Sequence, residues 1–154
     1  MDRTVRPADE RDAAALVVLR AAMFTAMGQD VGAPDAPWRA AAERWFTERL
    51  PAGDALVVVA EVPGAGPVAS AMAVLERRAP SPTNPAGLAA HLSQVSTLPD
   101  HRRRGHARAC LEALLGELDA RGVGRTDLFA TKEGEALHRS LGFRTSPSPA
   151  LRRP

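Results

Sequence analysis

Tyrosine is absent from this 154-residue chain, cysteine and lysine each occur once, and no long apolar run breaks up its charged residues. Each scarcity excludes something. A single cysteine, Cys110, can neither close a disulfide framework nor build a Cys-based zinc site. Without about 20 consecutive apolar residues there is no transmembrane helix, and no membrane is expected as a partner. Aromatic residues make up only 4% of the chain and the formal net charge is only +2. A nucleic-acid binder usually shows a dense basic stripe or interleaved aromatics, so no nucleic acid is expected either. The four histidines, His91, His101, His106 and His138, have no metal-ligand spacing, and no metal is expected. Neither a Gly-x-Ser-x-Gly nucleophile elbow nor a Walker A loop occurs. Gly64-Ala65-Gly66-Pro67-Val68-Ala69 matches a dinucleotide-binding pattern in form. A true fingerprint opens a helix after its strand, whereas here Pro67 and a β-rich run follow.

What is present is an ordinary globular composition, 45% hydrophobic and 25% charged. A chain of this length reads as one domain over residues 1–154, large enough to bury roughly 70% of its unfolded surface. Thr4 to Arg6 is a strand ended by Pro7. A helix begins near Asp9, buries Leu16, Leu19, Met23 and Met27, and stops at Gly28. Trp38 to Leu50 is a second helix. Ala55 to Ala60 is continuously apolar, as in a strand covered on both faces, and Val68 to Leu75 returns beside it. Strand signals follow at Ala90 to Leu98 and Asp127 to Ala130. Between them a helix from about Gly105 to Arg121 carries Cys110, Leu111, Leu114 and Leu118 on one face. Thr131 reads as the N-cap of a last helix that ends at Gly142, and Phe143 as the start of a last strand. The order is β-α-α-β-β-β-α-β-α-β.

Arg102-Arg103-Arg104-Gly105-His106-Ala107 joins the strand at Leu92–Leu98 to the helix that runs to about Arg121. The first amides of a helix have no intrahelical partner, and the peptide dipoles leave partial positive charge there. A phosphate at that end is held by backbone groups. Gly105 and Ala107 keep bulk away, and the arginines add charge.

This Arg-x-x-Gly-x-Ala pattern resembles the acyl-CoA pyrophosphate loop of the GNAT superfamily of N-acyltransferases. Two further stretches match. Thr97-Leu98-Pro99-Asp100-His101 precedes the loop as the family's fourth strand and turn do, and Leu137-His138-Arg139-Ser140-Leu141-Gly142-Phe143 resembles its short helix closing on Leu-Gly-Phe. The resemblance implies an α/β fold of α+β type, with a mixed, mostly antiparallel sheet and helices on both faces. In it the fourth and fifth strands run parallel and splay apart. The last strand should be short or frayed, because little chain remains after Pro147 and Pro149.

The same resemblance implies acetyl transfer from acetyl-CoA to a primary amine of a small molecule or peptide. Arg102, Arg103, Arg104, Gly105, His106 and Ala107 would hold the pyrophosphate. Backbone groups of Val95, Ser96 and Thr97 would pair with the pantetheine arm and polarise the carbonyl. His138 stands where the family most often has tyrosine, as general acid to the leaving thiolate; histidine can donate a proton near neutrality. No carboxylate lies on the fourth strand, where Gln94 stands instead, so the base is left among water, His91 and Glu133. The alternative is a non-catalytic acyl-CoA-binding module of the same fold. A homodimer is left open, and the absence of an apolar signal region behind Met1 to Pro7 favours the cytoplasm.

Overall fold

The computed structural model describes residues 2–154. Strand β1 (Thr4–Pro7) leads into a 3-10 turn at Glu10–Asp12, then α1 (Ala13–Ala26), α2 (Pro37–Ala52), β2 (Ala55–Val62), β3 (Gly66–Arg77) and β4 (Leu88–Thr97). A second 3-10 turn, Pro99–His101, precedes α3 (His106–Ala120), β5 (Arg125–Asp127) and α4 (Glu135–Ser140). The sheet has five strands in the order β1-β2-β3-β4-β5. All neighbours are antiparallel except β4 and β5, which run parallel. This is the mixed, mostly antiparallel α+β architecture expected from the sequence.

Both faces of the sheet are covered, which is why β2 reads as an unbroken apolar run. Val58 and Ala60 face α3, where Cys110, Leu111, Leu114 and Leu118 join Ala69, Ala71 and Ala73 of β3 in one core. Val57 and Val59 face the other way, with Met72, onto Leu16 and Leu19 of α1 and Phe46 of α2. Small alanines under the α3 leucines leave room for the helix, so volume is shared between large and small partners. Cys110 is fully buried there, and desolvation pushes its thiol up to about 12.

The 3-10 turn that leads into α1 is fixed by side chains. The Asp9 carboxylate accepts from the Arg11 amide at 2.9 Å, and Asp12 accepts from the Asp9 amide at 2.9 Å, a reciprocal cap. Arg6 then donates to both oxygens of Asp12 and to Glu61, each at 2.8 Å, tying β1, α1 and β2 together. The Arg6 guanidinium holds the Asp12 carboxyl below its usual range.

Three expectations shift at the C-terminal end. β5 lies at Arg125–Asp127, not at Asp127 to Ala130. Its ladder with β4 has only three pairs, Ala89–Arg125, Ala90–Thr126 and His91–Asp127, and Phe129 beyond it is 66% exposed. Thr131 caps the turn before α4 rather than α4 itself: its hydroxyl accepts from the Gly134 amide at 3.1 Å, and Gly134 takes the N-cap position. The last strand is frayed completely, with no ladder among residues 143–154. Pro147, Pro149 and Pro154 have no amide to give it. Among the described residues no helix is long and apolar enough to cross a membrane.

Candidate active site

The loop between β4 and α3 turns through left-handed backbone into the start of α3. Arg103 has φ +62° and Gly105, the N-cap of α3, has φ +79°. A non-glycine residue held in the left-handed region carries strain of about 1–3 kcal/mol, which clusters at ligand sites. Successive amides in turn conformations that include left-handed residues can point toward one concave side. Among the described residues no side chain caps α3. The Arg102 guanidinium donates to the Thr97 carbonyl at 3.2 Å. Arg3, from the other end of the chain, donates to the Arg104 carbonyl at 3.0 Å and so engages a carbonyl of the loop, not an amide. Arg102, Arg103, Arg104 and Gly105 are exposed and Ala107 is half-buried. His106 differs in its side chain from what the loop pattern suggests. Its ring is 1% exposed and lies 3.4 Å from Arg3, so only its backbone faces the loop.

Immediately before this loop, β4 is distorted. Ser70 pairs with Ser96 but Met72 pairs with Ser93, so β4 carries one extra residue across that interval. Gln94 adopts φ +45° there. A bulge of this kind bends the strand and re-aims its backbone groups. Four bonds hold it. Gln94 donates from Nε2 to the Leu16 carbonyl at 2.9 Å and accepts at Oε1 from Arg20 at 3.2 Å. Ser70 donates to the Gln94 carbonyl at 3.2 Å, and Ser96 donates to the Leu19 carbonyl at 2.6 Å. The side chains of Gln94 and Ser96 therefore anchor β4 to α1. Beyond His91 no strand pairs with the other edge of β4, which leaves Val95, Ser96 and Thr97 beside an open gap.

That gap is a cleft of about 430 Å³ bounded by Gln94 and Val95 on one side and by Gly134, Leu137 and His138 on the other. His138 is 8% exposed, with its ring edge-on to Phe143 at 5.8 Å. Its Nδ1 is buried without a partner. Burial lowers its pKa below the usual histidine value and so favours the neutral ring. A second cleft of about 400 Å³ opens between α2 and β3, with Trp45, Phe46, Met72 and Val74 in its walls. Arg20 and Ser93 border both clefts.

The cleft thus brings Val95 of β4 and His138 together, whereas Ser96, Thr97 and the loop at Arg102–Ala107 are not in its walls. Sequence reasoning missed Arg3, Arg20 and the anchoring role of Gln94. Arg20 had a signal: it falls four residues after Leu16 and three before Met23, an arginine on an apolar helical face. Arg3 had none, since its partners are about a hundred residues away in sequence.

A strand bulge, a parallel neighbour that pairs over three residues and a helix start without a side-chain cap coincide in this chain with a sequence-family match. The model of the acetyltransferase (GNAT) domain matches residues 4–145. The chain belongs to the GNAT acetyltransferase family. No curated protein matches it by sequence. Among solved structures, this GNAT domain is similar to a GCN5-related N-acetyltransferase from Ralstonia eutropha JMP134, at 27% identity and a TM-score of 0.82, covering 99% of this chain and 98% of that one. A predicted acetyltransferase from Clostridium acetobutylicum, solved with acetyl-CoA, shares the fold at 23% identity and a TM-score of 0.86, over 99% and 96% of the two chains. Glucosamine-6-phosphate N-acetyltransferase from Arabidopsis thaliana shares it at 15% identity and a TM-score of 0.74, over 99% of each chain. The GNAT fold therefore spans nearly the whole chain, including the frayed C-terminal end.

Proposed function

We propose that this GNAT acetyltransferase moves an acetyl group from acetyl-CoA to a primary amine of a small molecule or peptide. It does so as a single domain over residues 1–154, in the cytoplasm, and without a metal. The observation that carries this reading is the continuity of the free β4 edge with the amide cradle. A phosphorylated, amide-bearing arm needs both, in that order. The amides of Gly105, His106 and Ala107 and the charges of Arg102, Arg103 and Arg104 suit a pyrophosphate. The edge of Val95, Ser96 and Thr97 offers strand-like pairing to the arm, and an amide freed by the bulge can polarise a thioester carbonyl.

The amine attacks the carbonyl carbon, a C–N bond forms and the C–S bond breaks. One proton must leave nitrogen and one must reach sulfur. Neutral His138 can take the first and, as imidazolium, deliver the second. No carboxylate borders either cleft to compete for the proton.

The test is a pair of measurements. Acetyl-CoA at 100 times its dissociation constant should stabilise the protein by about 2.7 kcal/mol, raising the midpoint by roughly 5–10 °C. Free CoA should then be released with some member of an amine panel. Stabilisation without release for any amine would favour the binding-module reading, and no stabilisation at millimolar acetyl-CoA would sink both.

A further inference from the structure

Arg20 is a half-buried cation without a counterion. It stands on the face of α1 that otherwise carries Leu16, Leu19 and Met23. Its only hydrogen bond among the described residues goes to the neutral Oε1 of Gln94, and its guanidinium carbon lies 4.9 Å from the centre of the Phe24 ring. No carboxylate reaches it, whereas Arg6, also partly buried, is held by two. Partial burial of a guanidinium is costly unless an opposite charge compensates it, and desolvation lowers the Arg20 pKa.

Its position suggests what would compensate. Arg20 stands at the wall shared by the two clefts, beside Ser93. No aspartate or glutamate borders either cleft; the other ionisable groups are His91, His138 and Arg152. A polycationic acceptor would meet only neutral or like-charged groups there. The phosphates of the donor are accounted for at the cradle beyond Thr97, on the far side of the bulge. The second cleft is walled by Trp45, Phe46, Met72 and Val74, which suit an apolar body.

We infer that the acceptor is an apolar primary amine bearing a carboxylate, with the carboxylate paired to Arg20 and the apolar body in the Trp45–Met72 cleft. This rests on the acetyl-transfer reading above and names its substrate class. Guanidinium and carboxylate meet in a bidentate fork, which would fix the amine's orientation toward the bulge.

The experiment compares L-phenylalanine, L-methionine and L-leucine with their primary amides and with spermidine, at saturating acetyl-CoA, in the wild type and in Arg20→Gln and Arg20→Lys. The wild type should prefer each free acid over its amide by about 10- to 100-fold in kcat/KM, the usual worth of a charged hydrogen-bonded pair. Arg20→Gln should erase that preference, mainly by raising KM for the acids, and Arg20→Lys should keep part of it. Amides or spermidine serving as well as the acids would overturn the inference. So would an Arg20→Gln variant that slows acids and amides equally, since a merely structural tie to Gln94 would act on both. Failure of the acetyl-transfer reading looks different: acetyl-CoA neither stabilises the protein nor yields CoA with any amine, and the inference falls with it.

Discussion

Replacing His138 by alanine separates the chemistry of the cleft from its packing. The ring is almost wholly buried and rests against Phe143, so its removal leaves a void under α4. Truncating a buried ring of this size costs about 1–3 kcal/mol. At roughly 2–4 °C per kcal/mol, the midpoint should fall by about 2–12 °C, which leaves the protein folded at assay temperature. Turnover should fall further, by about 10²–10⁴-fold, if the ring moves protons. The KM for acetyl-CoA should change little, because the cradle and the β4 edge are untouched. The pH profile adds an independent sign. Burial lowers the His138 pKa, so the neutral ring predominates at and above pH 7. Wild-type turnover should be flat through the neutral range and decline only below about pH 6.5, and His138→Ala should lose that acid limb. His138→Tyr should retain more activity than His138→Ala, since a phenol can also donate to sulfur. Steady-state rates over about pH 6 to 9 and thermal midpoints for all three proteins make the comparison. Variants that turn over like the wild type across that range, while losing the expected stability, would reduce His138 to a packing residue.

Other outcomes follow from the same geometry. Gly105→Glu should weaken acetyl-CoA binding in a thermal-shift titration, because it adds a negative charge at the loop, where a Cβ would lie 3.5 Å from the Arg3 guanidinium; the positive φ adds about 1–2 kcal/mol of strain, so the fold should survive, and unchanged affinity in a folded variant would refute the cradle. His106 and His138 both have pKa values lowered by burial, so the stability they confer is complete above the unfolded value of about 6.5 and is lost as pH falls toward their folded values. Thermal midpoints should therefore decline as pH falls below about 6.5, and a flat or rising midpoint would contradict their burial. Arg6→Met should cost about 1–3 kcal/mol by leaving the buried Asp12 carboxylate unpaired, and Arg6→Met/Asp12→Asn together should cost less than the sum of the two; additive losses would mean the pair is not coupled.

Much of this was legible in the sequence, for physical reasons that can be named. The doubly covered sheet was visible in the unbroken Ala55–Ala60 run, and the helix ends at Gly28 and Gly142 were marked by the residue that accepts positive φ. The turn at Arg102–Ala107 into α3 was readable because Gly105 accepts the positive φ needed at that helix start. What escaped depends on distance in sequence. The position of β5 is set by three pairs with β4, not by the apolar Leu128–Phe129 that drew attention. Gln94 was noticed only as the lack of a carboxylate, whereas it spans a bulge to two residues of α1. The burial of His138 under Phe143 could not be read from a six-residue helix whose neighbours come from a coil.

Cys110, sealed under α3, has a practical consequence. A thiol with its pKa near 12 is almost entirely protonated at neutral pH and closed to solvent, so the folded protein should be silent toward disulfide-exchange dyes. Colour formed in a CoA-release assay would then come from the product alone. Once the chain opens, that same sulfur becomes a single reactive handle on an otherwise unlabelled molecule. Its labelling rate would clock excursions of the α3 core without any engineered probe, and its protection by acetyl-CoA would report how far binding at the start of α3 quiets the helix about one turn along.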